Sequence, residues 1–309
     1  MIEMLCLDHG VLLTVDSGDR AQFFRVVAPN DSELLKLSQL TGASVELLSA
    51  ACDPDERPRF EAEDDARLLV LRVPCDLQES STPVKTVAFG VIVARAHVIT
   101  VCSRDSDVWT SLKSGRSIAY SAEAAPAFVF HLCMRVARIY LSKLNWIKTQ
   151  ADKVEQEIHK SMRNDMLIRL LELEKCLVDI TTSLRSQDPL WNRLRRGWQR
   201  DLSEQEDELL EDIQIEFKQA RDLAEIHSGI LSGMMDAFAS IISNNLNVVM
   251  KLLTSITIIL MLPTLVASVY GMNVKLPFQN SPHAFLITML LSFVASLLGV
   301  GVFWRKRFF

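Results

Sequence analysis

The sequence predicts an α+β domain at the N-terminal end, then one very long helix, then two membrane-spanning helices at the C-terminal end. Three observations carry this. Apolar, β-branched runs of strand length are confined to the first 125 or so residues. From Pro126 onward, apolar residues recur at helical spacing instead. Hydrophobic residues make up 49% of the chain, and the excess is concentrated in two runs near its end. These are Leu252 to Tyr270 (LLTSITIILMLPTLVASVY) and Ala284 to Trp304 (AFLITMLLSFVASLLGVGVFW), neither with a charge. At 1.5 Å per residue, each is long enough to cross a hydrocarbon core about 30 Å thick.

Residues 1–125 read as an α/β domain. Val11 to Val15, Phe23 to Val27, Ala66 to Val73 and Thr86 to Val101 have strand composition, the last as a hairpin turning at Ala94-Arg95-Ala96-His97. Asp31 followed by SELLKLSQL, and Ser44 followed by VELLSAACD, read as short capped helices. Asp53 to Glu61 (DPDERPRFE) reads as a solvated connector broken by proline. The opening residues MIEMLCLDHG lack the basic and apolar regions of a signal peptide, so everything ahead of the spans is expected in the cytoplasm.

Residues 126–202 are expected to form a helical hairpin. Phe128, Leu132, Val136, Ile139, Leu141 and Leu144 mark its first helix, and a second run from Asp165 to Leu184 is expected to end near Asp188-Pro189. Trp191 to Asp201 (WNRLRRGWQRD) then reads as a solvated basic connector around Gly197. Ser203 with Glu206 makes a capping box, and Glu204, Asp207 and Glu208 suit the positive end of a helix dipole. No proline follows until Pro263, so one helix from Ser203 to Tyr270 would be roughly 100 Å long. So long a helix needs partners along its sides, which makes residues 203–247 a stalk in an oligomer. Gly229 and Gly233, spaced G-x-x-x-G, permit close packing of one stalk against another.

The first span is taken as residues 248–273 and the second as 284–304, joined by a loop of residues 274–283. Arg305, Lys306 and Arg307 in the tail, residues 305–309, place the C-terminus in the cytoplasm and the loop outside, with Lys275 the one contrary charge. Along the first span Asn247, Met250, Leu253, Thr257, Met261, Thr264, Ser268 and Gly271 follow one another in seven steps of about 3.4 residues, just under the 3.6 of a straight helix. A lipid-facing stripe has no use for the polar members. Several copies tilted or coiled around a pore would turn this stripe inward, and Pro263 removes the helix bond to the carbonyl of Ile259.

Other classes are disfavoured. A formal charge of -5 and a pI near 5.7 argue against a nucleic-acid partner. The six cysteines have no C-x-x-C spacing and read as reduced structural thiols, and the six histidines are too dispersed for a zinc site. There is no G-x-x-x-x-G-K-[ST], G-x-G-x-x-G or G-x-S-x-G motif, so no enzyme is marked. His97, Cys102 and Asp105 lie close together, but strand residues alternate faces and nothing orients them for nucleophilic chemistry.

Ser243 to Thr254 (SNNLNVVMKLLT), Pro263-Thr264 and Tyr270-Gly271-Met272-Asn273 together resemble the CorA family of divalent-cation channels, in which a G-M-N tripeptide closes the first span. Asp53 to Arg59 also looks like part of that family's cytosolic domain. The resemblance implies a homopentamer in a bacterial inner membrane, with a cytosolic funnel, stalk helices, an inner ring of first spans and an outer ring of second spans. It casts Gly271, Met272 and Asn273 as the selectivity filter, and Asn247 as the inner polar ring. Met250, Leu253 and Met261 become apolar constrictions of the gate, with Thr257, Thr264 and Ser268 lining the pore. Mg²⁺ is the implied cargo, with Co²⁺ or Ni²⁺ besides, and no organic cofactor is implied.

The chain departs from the family twice. Many members follow G-M-N with an acidic loop, whereas this one reads VKLPFQNSPHAF, with Lys275 and no carboxylate. Family channels also close when Mg²⁺ binds acidic residues between subunits, one near the membrane-distal end of the stalk. Asp212 holds that position, but the acid and histidine often found just beyond are replaced by Ile215 and Glu216. Two other readings stand beside the Mg²⁺ channel: a zinc transporter of the same superfamily, and a cytosolic scaffold tethered by its spans.

Overall fold

The computed structural model describes residues 1–8, 11–16, 20–63, 66–77, 82–109, 125–158, 164–198, 202–274, 276–278 and 282–306. They divide into two compact units, Met1–Met234 and Met235–Phe309.

The first unit is built on a seven-stranded sheet. Its strands are β1 (Ile2–Asp8), β2 (Val11–Thr14), β3 (Phe23–Val27), β4 (Arg59–Ala62), β5 (Ala66–Asp76), β6 (Val84–Ala94) and β7 (His97–Cys102). They lie in the order β2-β1-β3-β7-β6-β5-β4, and every pairing is antiparallel except β3 with β7. The expected hairpin joins β6 to β7, with Ala94 opposite His97 and Arg95 at φ 50° in the turn.

Alternation along the strands sorts side chains into two cores. Leu69, Leu71 and Val73 of β5 join one core with Phe23 and Phe89, whereas Leu68 and Val70 join the other with Phe24 and Ile92. The second core is closed by α1 (Asp31–Thr41) and α2 (Val45–Ser49) through Leu34, Leu37, Leu47 and Leu48. Ser44 caps α2 as expected, its hydroxyl accepting from Leu47 N. The cap of α1 is Asn30 rather than Asp31. Its side chain accepts from Glu33 N at 2.9 Å while Glu33 accepts from Asn30 N at 3.0 Å, a reciprocal box that a leading Asp31 would lack.

The first core is closed by α3 (Ala125–Ile158) and α4 (Asn164–Trp198), with Phe128, Leu132, Tyr140, Leu173, Ile180 and Leu184 facing inward. Here the structure corrects the sequence. Helix α4 does not end near Pro189; it runs through that proline to Trp198. Leu190, Trp191, Leu194 and Trp198 form a buried face at helical spacing, and this packing outweighs the ladder bond that proline cannot make. The stretch from Trp191 is therefore half core, while residues 199–201 lie outside the described residues.

Another correction concerns DPDERPRFE. Arg59 and Phe60 begin β4, at the sheet edge beside β5. Phe60 lies so near α4 that a Cβ on Gly197 would stand 2.0 Å from its ring, which is why glycine occupies that helical position. Arg72 pins the preceding loop, donating to the carbonyls of Pro54 (3.3 Å), Glu56 (3.4 Å) and Thr86 (2.7 Å).

Helix α5 (Glu204–Tyr270) has 67 residues and begins with the expected box: Ser203 N and Oγ each donate to Glu206 at 2.8 Å. Its N-terminal part belongs to the first unit, where Leu210, Ile213, Phe217, Ala220 and Ala224 are buried. The second unit holds the rest of α5 and α6 (Ala284–Arg305). Both helices are long and apolar enough to cross a membrane. Lys275 and Arg307 lie outside the described residues.

Candidate functional site

In the second unit the apolar part of α5 has two contrasting faces. Ser255 is fully buried, and Ile259, Leu262, Val266 and Tyr270 are half-buried. They recur in steps of three and four, and the seam against α6 lies there: a Cβ on Gly299 would stand 3.0 Å from Leu262 and 3.7 Å from Ile259. Most of the other positions are exposed, among them Asn247, Met250, Leu253, Thr257, Met261, Thr264 and Ser268, and also Ile256, Leu260 and Leu265 to either side. At 3.6 residues per turn the stripe from Asn247 to Ser268 lies roughly opposite the seam, with the other exposed apolar residues between. The seam residues Ser255 and Gly299 escaped the sequence reading, although small residues at a helix contact were a signal available there.

The hydroxyls on the exposed face are locally engaged. Thr257 donates to the carbonyl of Leu253 at 2.8 Å, and Thr264 to that of Met261 at 2.7 Å. Beside the latter stands Pro263, inside the helix and without an N–H to donate. The helix nonetheless continues to Tyr270.

The G-M-N tripeptide sits where α5 stops. Gly271 N donates to the carbonyl of Ala267 at 2.9 Å and Met272 N to that of Val269 at 3.2 Å, which satisfies two terminal carbonyls. A Cβ on Gly271 would press on the Ala267 carbonyl at 3.2 Å. Met272 and Asn273 follow with both side chains exposed.

Asp212 is exposed on α5 within the first unit. Its neighbour Glu211 accepts from Arg195 at 3.0 Å, and Arg195 also holds Asp207 through two bonds of 2.7 and 2.6 Å. These bonds keep the Asp207 carboxyl below its usual range and raise the Arg195 guanidinium. Among the described residues no group of three or more His, Cys, Asp or Glu is placed to hold a metal ion.

The sheet offers no nucleophile at His97 and Cys102. Cys102 is buried and pushed up to about 11 by desolvation, and Cys75, also buried, to about 12. His97 packs edge-on against Phe24, on the other core.

Comparison with known proteins covers nearly the whole chain. The sequence model of a family described as CorA-like Mg2+ transporter protein matches residues 18–307. A cobalt/magnesium transport protein CorA of Methanocaldococcus jannaschii is 27% identical over 288 residues, 90% of this chain and 88% of that protein. The complete structure of the CorA magnesium transporter from that organism superposes with a TM-score of 0.83 at 24% identity, covering 99% of this chain and 98% of the other. The ZntB cytoplasmic domain of Vibrio parahaemolyticus aligns with 78% of this chain and 98% of its own, at a TM-score of 0.59 and 11% identity.

Proposed function

Because the chain belongs to the CorA-like Mg2+ transporter family, we propose that it is a passive, Mg²⁺-permeable channel of a bacterial inner membrane, assembled from five copies with both termini in the cytoplasm. Co²⁺ or Ni²⁺ would share the path. The observation that carries this reading is the two-faced first span: one face is engaged with α6, and the opposite one, bearing Asn247, Met250, Leu253, Thr257, Met261, Thr264 and Ser268, is bare in a single chain. The first unit has a matching bare face on α5, where Ile215, Ile226 and Ile230 are 63, 56 and 49% exposed and Gly229 and Gly233 have open space where a Cβ would go. Self-association accounts for both.

In this reading Asn273 offers neutral oxygens at the outer mouth, with Gly271 and Met272 completing the filter. Mg²⁺ gives up its water reluctantly, so carbonyl groups hold the hydrated ion through its waters and still release it, as conduction requires. Thr257, Thr264 and Ser268 line the path, and Asn247 forms the inner ring. Met250, Leu253 and Met261 close it by excluding water. The membrane potential supplies the drive, about 4.6 kcal/mol for a divalent ion per 100 mV from the unit-charge value. Asp212 would bind regulatory Mg²⁺ only with groups from a neighbouring copy.

The test is flux into dye-loaded liposomes containing the full chain, with Mg²⁺, Co²⁺, Ni²⁺ and Zn²⁺ offered separately. Mg²⁺ should enter, and Asn273→Ala should slow it by about tenfold or more, a loss of 1.4 kcal/mol. Zn²⁺ entry without Mg²⁺ would transfer the chain to the zinc reading, and liposomes tight to all four ions would leave only the tethered scaffold.

A further inference from the structure

Charge is divided unevenly between the two units. The whole chain has a formal charge of -5, yet from Met235 to Phe309 it holds Lys251, Lys275, Arg305, Lys306 and Arg307 against a single Asp or Glu, Asp236. Asp236 precedes Lys251 by about 22 Å of continuous helix at 1.5 Å per residue. No other carboxylate side chain of this unit can answer its cations.

Helix packing leads those cations to one place. The seam with α6 follows Leu262, Ile259 and Ser255 down α5, and Lys251 is the next member of that row. On α6 the row that includes Gly299 passes half-buried Phe303 and reaches Lys306. Measured from the approach of Gly299 to Ile259, Lys251 lies about 12 Å along one helix and Lys306 about 10 Å along the other. Both lysines therefore come out at the same end of one seam. Lys251 stands immediately before the apolar run that opens at Leu252, and Arg305 immediately after the run that closes at Trp304. All three cations are exposed, and Arg305 and Lys306 make no ion pair among the described residues.

Like charges gathered in this way repel unless an anion stands among them. At the edge of an apolar span the groups at hand are lipid headgroups, and exposed Trp304 is the side chain that suits that layer. A zwitterionic headgroup brings its own ammonium and gains little here, whereas an anionic one adds the charge the unit lacks. We propose that Lys251, Arg305 and Lys306 bind the phosphodiester headgroup of an anionic phospholipid at the cytoplasmic end of the α5–α6 seam, its acyl chains lying along exposed Leu298 and Val302. This rests on the reading of both helices as membrane spans. The bound lipid ties the spans together at the end that the external loop does not join.

The experiment is thermal denaturation of the full chain in nanodiscs, in magnesium-free buffer of constant ionic strength. Phosphatidylcholine is replaced stepwise by phosphatidylglycerol with the same acyl chains. A ligand that binds only the folded state raises the midpoint, so the midpoint should climb with phosphatidylglycerol and level off while most of the lipid is still phosphatidylcholine. Arg305→Gln combined with Lys306→Gln should move the half-effect to about tenfold more phosphatidylglycerol, and Lys251→Gln alone to about fivefold more. All three positions are exposed, so these changes remove charge and little packing. Glycerol 3-phosphate added to phosphatidylcholine discs should do nothing. The proposal fails if the midpoint ignores phosphatidylglycerol, if the double variant responds like the unaltered chain, or if free glycerol 3-phosphate reproduces the rise. A chain that enters discs of neither lipid would overturn the spans themselves, a failure distinct from these three.

Discussion

The two units treat the same kind of side chain in opposite ways. In the first, Trp198, Tyr140 and Phe23 are among the largest residues and are almost wholly buried. In the second, Trp304, Leu298 and Phe293 are 75, 66 and 65% exposed. Helix α5 carries both regimes: Phe217 is 2% exposed and Leu260 65%. Soluble monomers rarely show large contiguous apolar surfaces, so the second unit calls for a non-aqueous surrounding, which in the proposed channel lipid and further copies of the chain would supply. Apolar composition therefore reports the need for a non-aqueous neighbour, and only packing reports which neighbour that is.

Exchanging tryptophans is the strongest way to break this comparison. Trp198→Ala removes a ring packed on Phe60 and Phe130 with Arg67 over its face, and should destabilise the first unit by about 3–5 kcal/mol. Trp304→Ala should stay within about 0.5 kcal/mol; thermal unfolding of the detergent-solubilised chain measures both, and equal losses would abolish the distinction. A smaller effect sharpens the second unit's side of it. Met250→Asp wets an exposed apolar position on the bare face and should raise resting Mg²⁺ leak in liposomes about tenfold, 1.4 kcal/mol in gate closure, whereas an unchanged leak would remove Met250 from the gate.

The smallest effect belongs to the first unit's surface. Arg195 depresses the Asp207 carboxyl below 3.8 by hydrogen bonding. A carboxyl lowered in the folded state lends stability above its unfolded value and loses it as pH falls through the folded one. Arg195→Ala should therefore lower the unfolding midpoint slightly at pH 7, with the gap to the unaltered chain closing well below pH 3.8. A gap that persisted in acid would mean that Arg195 acts by packing its stem rather than by its charge.

The spans were legible because length without charge is a property of sequence alone. So were the capping box at Ser203 and the β6–β7 hairpin, both local. What escaped depends on contacts between distant segments. Strand β4 looked like part of a charged connector because its pairing with β5 was not visible, and Gly197 looked like a turn because Phe60 was not known to lie against it. Trp191 to Trp198 was read by its arginines, while the period of Leu190, Trp191, Leu194 and Trp198 carried the burial. On the bare face, sequence supplied the residues and the seam at Gly299 supplies the direction opposite to them.

One consequence follows from how Thr257 and Thr264 spend their protons. Each hydroxyl hydrogen is given to a backbone carbonyl, so what each oxygen has left to offer is electron density. A surface lined this way is an electron-pair donor without being an anion. It turns the hydrogens of neighbouring water toward itself and leaves water oxygens free to face a positive charge, and a chloride ion finds no proton there to lean on. In a pore, discrimination by sign would then come from the direction of two small dipoles on every copy, at no cost in buried carboxylates and with nothing for a divalent ion to stick to.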